Sequence, residues 1–283
     1  MAAIASISDL INRATGGSSG TPQLKTFWKD SRVGAAAAAA PIAGRMTSLW
    51  EYNGTPSHGV PPTTVANPDN TTDGGLKQAD PGGGRQLWLI GGSVSANAQG
   101  GLLVYDRLLH KGSLDGTVIT AQTVGGTLTR YTGSLAAGNE IWVEIYTQIG
   151  ITGTTITASY TDQGGASGNT TPATAIGNTG LREAQRLIRI PLAAGDSGVQ
   201  VVASVTLAAT TGTAGVFGVS IVRPLFWIPV TSVGTPSMRE SVGGLAGLTG
   251  PVEVLADACL GMAWLSNGTT VPSIEGHLFF VEA

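Results

Sequence analysis

After Arg85 the sequence is a series of short runs rich in apolar and β-branched residues, separated by turns of glycine, asparagine, aspartate and threonine. In the clearest run, 140–148, isoleucine and valine alternate with tryptophan, glutamate and tyrosine, the period-two pattern of a β-strand. One face of this strand is predicted to be core, and the other to be wet or at an interface. Such runs, without long helical patterns between them, predict a β-sandwich or jelly roll rather than an α/β fold. The predicted strands are 86–90, 101–109, 117–123, 140–148, 154–160, 185–192, 199–207, 216–223, 226–231, 260–265 and 277–281.

Charged residues are scarce for a soluble domain. They make up 12% of the 283 residues, well below the ~25% that is usual, and the formal net charge is −3. A net charge this small creates no strong electrostatic attraction to nucleic acid or to an anionic membrane. Neither is therefore predicted as a partner. The low charge instead predicts a surface largely buried between subunits. The N-terminus lacks the basic flank of a secretory signal, so synthesis in the cytoplasm is predicted.

The N-terminal segment has the spacing of a short amphipathic helix. Ser6 is placed to cap its first turn, and Asp9 lies near the positive end of the helix dipole. A helix of this length is marginal alone, so its apolar stripe is predicted to pack on its own domain or to dock on a partner subunit. The stripe comprises Ile4, Ile7, Leu10 and Ile11.

Residues 22–84 are rich in alanine, proline and glycine and predict an extended arm, with one strand near 47–52. Trp28, Trp50 and Tyr52 argue against disorder of this arm. We therefore predict an all-β chain in two parts. The N-terminal helix and extended arm occupy 1–84, and a jelly-roll-like β-sandwich occupies 85–283.

Residue types used in catalysis are present without the spacing of an active site. Asp106, His110 and Asp115 lie close in sequence, but no Gly-x-Ser-x-Gly elbow accompanies them. The three histidines have no helical ligand spacing, and none neighbours the single cysteine, Cys259, which is predicted to be a small core residue. Enzymatic activity, a metal site and a cofactor are therefore not predicted.

Two further groups leave alternatives open. Asp69, Asp73 and Asp80 lie in a glycine-rich loop and could hold calcium, but their spacing matches no EF-hand and turn formation is favoured. Tryptophans could stack on sugars, although filling of cores and protein interfaces is favoured. The tryptophans are Trp28, Trp50, Trp88, Trp142, Trp227 and Trp264.

The basic residues Arg182, Arg186 and Arg189 recur at a spacing that would form one cationic stripe on a helix. The surrounding isoleucines and proline favour a strand, in which Arg186 and Arg189 point to opposite faces. We therefore expect carboxylate partners rather than nucleic acid. The candidate partners are Glu140, Glu144 and Glu183.

Several phrases resemble a widespread group of tailed-bacteriophage virion proteins. They are LLVYDRLLHKGSLDGT (102–117), TAQTV (120–124), TASYTDQGG (157–165), GNTGLREAQRLIRIPL (177–192) and AGDSGVQVVASVTL (194–207). The group is similar to capsid decoration, or cement, proteins, and the resemblance covers roughly residues 85–230.

This resemblance implies a jelly-roll protein that assembles as homotrimers over threefold positions on the outside of a capsid. We therefore expect a structural virion protein that binds the major capsid protein and stabilises the contacts between its subunits. Two alternatives stay open: a receptor- or glycan-binding virion fibre module, and a tail-tube or connector component. The residues expected to contact the shell or a neighbouring copy are Ile4, Ile7, Leu10, Ile11, Phe27 and Trp28.

Overall fold

Antiparallel strands form nearly all of the regular structure. The computed structural model describes residues 6–14, 22–30, 40–240 and 251–283. Strands make up 48% and helix 4%, which confirms the all-β prediction. Helix α1 spans Ile7–Ala14, and a short 3-10 helix spans Gly133–Ala136. The strands are β1 (Pro22–Asp30), β2 (Met46–Ser48), β3 (Asn53–Thr55), β4 (Leu87–Ala96), β5 (Gly100–Asp115), β6 (Gln122–Thr123), β7 (Glu140–Ile145), β8 (Thr154–Asp162), β9 (Asn169–Thr170), β10 (Thr174–Ile176), β11 (Arg186–Ile190), β12 (Val199–Leu207), β13 (Val216–Val230), β14 (Ser237–Glu240), β15 (Val252–Val254), β16 (Leu260–Ser266) and β17 (Ser273–Glu282).

Six strands close into a barrel in the order β11-β2-β16-β5-β13-β7, and β7 pairs back to β11. The two longest members, β5 with 16 residues and β13 with 15, pair with each other from end to end. Their ladder contains three register shifts, and bulges of this kind bend and twist the strands. Strands β5 and β13 therefore form the longest continuous ladder of the barrel.

Strand β7 buries both of its faces. Ile141, Val143 and Ile145 face outward into an apolar core, whereas Trp142 and Glu144 face the barrel interior. Both Trp142 and Glu144 are 0% exposed. The predicted alternation is therefore present, but the prediction that the second face is wet or at an interface is wrong, because closure of the barrel turns that face inward.

Two open sheets pack on the barrel. The five-stranded sheet has the order β10-β8-β12-β6, with β9 also on β8, and it contributes Val202 to a core that includes Leu109 of β5. The six-stranded sheet has the order β14-β4-β17-β1-β3, with β15 also on β4. It contributes Leu89 and Phe280 to a second core that includes Val104 of β5. Strand β5 thus joins the two apolar cores.

The segment predicted as an extended arm contains a strand of the six-stranded sheet. All nine residues of β1 pair with β17, from Pro22 opposite Val281 to Asp30 opposite Ser273. Because β2 also lies in the barrel, strands from both sides of residue 84 share two of the sheets. The sequence prediction misses β1 because neither of its faces is uniformly apolar.

Strand β13 continues through Pro224, where the sequence predicts a break between two strands. Strand β7 pairs with β13 only from Phe217 to Val222, so the later part of β13 pairs with β5 alone. A proline is tolerated there because its missing N–H group can lie on the unpaired side of the strand. The register shift between Pro224 and Phe226 takes up the irregularity.

We predict that Trp142→Ala lowers the free energy of unfolding by roughly 3–5 kcal/mol, because the ring packs against Tyr105 inside the barrel. The exposed residue Ile151 provides the control, and Ile151→Ala changes the free energy by less than about 0.5 kcal/mol. Urea unfolding of the two variants measures both values. Similar small losses in both would contradict the interior position of Trp142.

Candidate interaction surface

Helix α1 lies against β17 and presents part of its apolar stripe outward. Leu10 is 4% exposed, whereas Ile7 is 65% and Ile11 is 57% exposed. The Ser6 hydroxyl accepts a hydrogen bond from the Asp9 amide at 3.1 Å, as an N-cap does. The burial of Leu10 fixes the helix, so Ile7 and Ile11 form an accessible apolar pair.

The two aromatic residues predicted at the interface point in opposite directions from β1. Phe27 is 2% exposed and belongs to the core between the six-stranded sheet and the barrel. Trp28 is 45% exposed. With Leu10 and Phe27 buried within the chain, the accessible members of the predicted set are Ile7, Ile11 and Trp28. Ile4 lies outside the described residues.

A polar groove adjoins Trp28 on the outer face of the six-stranded sheet. Two adjoining clefts, of about 420 and 480 Å³, share Trp28, Ser95 and Glu275 in their lining. Thr55 lines the first of them. We call this feature, including Thr55, the Trp28 groove. The strand register places six of its residues in two rows, Trp28–Glu275–Ser95 and Thr26–His277–Ser93.

A hydrogen-bonded ion pair occupies the barrel interior. Arg107 Nη1 donates to Glu144 Oε2 at 2.8 Å and to Ser220 Oγ at 3.0 Å, and Arg107 Nη2 donates to the Tyr105 hydroxyl at 2.8 Å. The guanidinium also lies 4.2 Å from the centroid of the Trp50 ring. Because these partners come from β5, β7, β13 and the segment after β2, the network ties four parts of the chain together.

Three titratable groups near Arg107 have pKa values shifted in favour of their neutral forms. Burial and the nearby charge of Arg107 keep the pKa of His110 well below its usual range, and His110 Nε2 is hydrogen-bonded to the Tyr146 hydroxyl. Burial raises the pKa of Tyr105 to about 12. Burial also raises the pKa of Glu51 to about 8, and the charge of Glu144 adds to this shift while Arg107 opposes it.

This interior network stabilises the fold and does not form an accessible active site. Tyr105, Arg107, His110 and Glu144 are each at most 1% exposed. A substrate could reach them only by opening the barrel. The pairing of Arg107 with Glu144 is not predictable from the sequence, because 37 residues separate the two and nothing local marks them as partners.

The sequence cluster Asp106, His110 and Asp115 does not form a catalytic triad. Asp106 accepts two hydrogen bonds from Arg130, at 2.8 and 2.9 Å, and one from the Cys259 amide at 2.9 Å. Asp115 accepts hydrogen bonds within its own turn. Cys259 is fully buried, and burial raises the pKa of its thiol to about 12, which confirms the prediction of a core residue.

The three loop aspartates are separately engaged. Asp69 accepts hydrogen bonds from the turn that follows it, and these lower the pKa of its carboxyl. Asp73 pairs with Lys77 at 3.1 Å, and Asp80 accepts the amide of Asp257 at 2.8 Å. Across the described ranges, no three His, Cys, Asp or Glu side chains are grouped so that they could hold a metal ion. Asp69 therefore has the contacts of turn formation, whereas Asp73 is held by an ion pair and Asp80 by a distant backbone amide.

Two of the three arginines near β11, Arg186 and Arg189, have carboxylate partners, as predicted. Arg189 pairs with Glu140, and Arg186 lies 3.8 Å from Glu183. Glu144, the third candidate, pairs with Arg107 instead.

An apolar cavity of about 640 Å³ adjoins the barrel. Its lining includes Leu103, Leu187 and Trp227 from barrel strands, together with the basic residues Arg45 and Arg189. This volume falls within the range of about 300–1,000 Å³ that is usual for ligand pockets. It could accept a small apolar group or an apolar side chain of a partner.

In the described part of the chain, no helix is both long and apolar enough to cross a bilayer. Comparison with known proteins finds no matching family model, no matching curated protein and no matching solved structure.

We predict that Arg107→Met lowers the free energy of unfolding by roughly 3–5 kcal/mol, because Glu144 is left buried without its partner. The double variant Arg107→Met/Glu144→Leu regains much of this loss, since both charges are removed. As a control, Arg189→Met breaks an exposed pair and costs about 0–1 kcal/mol. Chemical denaturation measures all three. A double variant no more stable than Arg107→Met would contradict this account of the pair.

The raised pKa of Glu51 predicts that the stability of the fold depends on pH. Its pKa is raised from 4.5 to about 8, so between these values the folded chain binds a proton that the unfolded chain has released. The stability from this group is therefore present below pH 4.5 and is lost as the pH rises towards 8. We expect Glu51→Gln to reduce the loss of stability between pH 5 and pH 7. Thermal unfolding across this interval tests it, and an unchanged slope would contradict the expectation.

Proposed function

We propose that this chain is a structural virion protein that binds the outer surface of a tailed-phage capsid and stabilises the contacts between major capsid protein subunits. The resemblance of residues 85–230 to decoration proteins supports the proposal. The observation that carries it is the exposed apolar pair Ile7 and Ile11 on a helix that Leu10 anchors to the β region. In this proposal the chain acts by binding, without catalysis, a cofactor, nucleic acid or a membrane.

The energetics of such binding follow from apolar burial. An isoleucine side chain gains roughly 1.5–3 kcal/mol when it is fully removed from water. Part of this gain is offset by the loss of rotational and translational freedom on association. A protein that binds only the assembled shell stabilises that shell by mass action. A fixed helix such as α1 limits the ordering cost, because Leu10 already holds it in place.

The jelly-roll-like architecture, the N-terminal arm and the homotrimer belong to the same proposal. A trimer presents three copies of α1 at once. Weak contacts from each copy then combine through effective concentration, so that the assembly binds more tightly than one chain. The site of action in this proposal is the exterior of the capsid, after synthesis in the host cytoplasm.

The double variant Ile7→Ser/Ile11→Ser tests this proposal. We expect at least about a tenfold weaker affinity for purified capsids that lack the chain, because two apolar contacts are lost. Binding is measured by titration of the full chain onto these capsids, followed by sedimentation.

The control is Ile119→Ser/Ile151→Ser, because these residues are 55% and 64% exposed, close to the 57% of Ile11 and the 65% of Ile7. We expect this control to bind capsids as the parent chain does. Full affinity of a folded Ile7→Ser/Ile11→Ser protein, or equal losses in both double variants, would contradict the proposed contact.

A further inference from the structure

We propose that the Trp28 groove binds a neutral oligosaccharide, with a sugar ring stacked on the indole of Trp28. This site goes beyond capsid binding and does not depend on it. The six tryptophans lie in different environments. Trp50, Trp142 and Trp264 are at most 1% exposed, and Trp88 and Trp227 are partly buried. Trp28 is the most open to solvent of the six, at 45% exposed.

An indole half open to solvent offers a flat apolar surface with a polar edge. The C–H face of a pyranose ring is likewise flat and apolar, whereas its rim carries hydroxyl groups. Stacking of the two removes apolar area from water on both sides. Such a contact requires hydrogen-bonding groups around the indole to meet the hydroxyl rim of the sugar.

The groove supplies these groups at fixed positions. Four residues that line the first cleft carry hydroxyls, Glu275 carries a carboxylate that accepts hydrogen bonds, and His277 carries an imidazole. Glu275 lies directly across from Trp28 in the β1–β17 register, where side chains are about 4.5–5.5 Å apart at Cβ. The four hydroxyl residues are Thr26, Thr55, Ser93 and Ser95.

These polar groups are free to bind a ligand. In the residues that the structure describes, the side chains of Ser93, Ser95, Glu275 and His277 form no hydrogen bond or ion pair with the protein. All four stand on β4 and β17, neighbouring strands near the middle of the six-stranded sheet. Sites built on strands keep their geometry better than sites built on loops. The strands therefore fix the backbone positions of these groups, and their side chains can turn towards a ligand.

The side chains that line the groove indicate which class of ligand it can bind. Neither cleft has a lysine or arginine in its lining. Phosphate, sulfate and carboxylate groups are recognised mainly by such cations, so the groove does not favour nucleic acids or acidic glycans. A cationic ligand could contact Trp28 and Glu275, but it would leave the hydroxyl residues unused. Neutral sugars use both the indole and the hydroxyls.

The first experiment measures binding of the full chain to an array of neutral oligosaccharides of hexoses and N-acetylhexosamines, with sialylated and sulfated glycans on the same array. We expect binding to members of the neutral set. Titration with the best neutral oligosaccharide should also change the tryptophan fluorescence, since Trp28 is the exposed indole. Binding only to acidic glycans, binding to none, or displacement by choline but not by free sugar would overturn the proposal.

The second experiment compares Trp28→Ala with Leu24→Ala. Both residues lie on the same face of β1, and Leu24 is 58% exposed, but Leu24 lines neither cleft. We expect Trp28→Ala to weaken binding of the neutral oligosaccharide at least tenfold, Trp28→Phe to restore part of it, and Leu24→Ala to leave it unchanged. Equal losses in Trp28→Ala and Leu24→Ala would overturn the site.

The variant Ile7→Ser/Ile11→Ser separates this site from the proposed function. We expect this variant to bind the best neutral oligosaccharide with full affinity while its affinity for capsids falls. Loss of oligosaccharide binding by the folded Ile7→Ser/Ile11→Ser protein would place both ligands on one surface and would overturn an independent glycan site. A failure of capsid binding by the parent chain would leave the glycan measurement unaffected.

Discussion

Closure of the six-stranded barrel is the constraint on which the rest of this structure depends. A closed sheet has an inside, so every barrel strand must supply side chains for two environments. The outer faces of β5, β7 and β13 meet the flanking sheets in apolar cores, while their inner faces meet one another. The inner space holds the Arg107–Glu144 pair as well as apolar groups. A buried pair of this kind is costly to break, because either charge alone has lost its water.

The sequence predicts local periodicity well and distant partners poorly. Strand β12 has the predicted bounds, 199–207, because its β-branched residues mark it without reference to any neighbour. The alternation in β7 is also correct, yet the sequence pattern places its inner face in water or at an interface, since only the closed barrel buries Trp142. The sequence pattern does not predict β1, because its identity as a strand depends on pairing with β17, more than 240 residues further along the chain.

The two candidate surfaces also differ in how far the sequence predicts them. Helical spacing was enough to bring Ile7 and Ile11 to one face, and the structure leaves both exposed. The neighbours of Trp28 could not be predicted, because Glu275 reaches it only through the β1–β17 register. As a result, helix α1 offers an apolar pair, and the Trp28 groove offers an indole among hydroxyls. These two surfaces differ in chemistry, and they call for different ligands.

The position of β17 has a consequence for biosynthesis. This strand lies between β4 and β1, so the six-stranded sheet lacks a central member until residues 273–282 have left the ribosome. Until then β1 and β4 have unpaired edges that are open to pairing with other chains. Contacts between residues so far apart in sequence also slow folding. Chaperone binding to the nascent chain would therefore matter most in the interval before β17 becomes available for pairing.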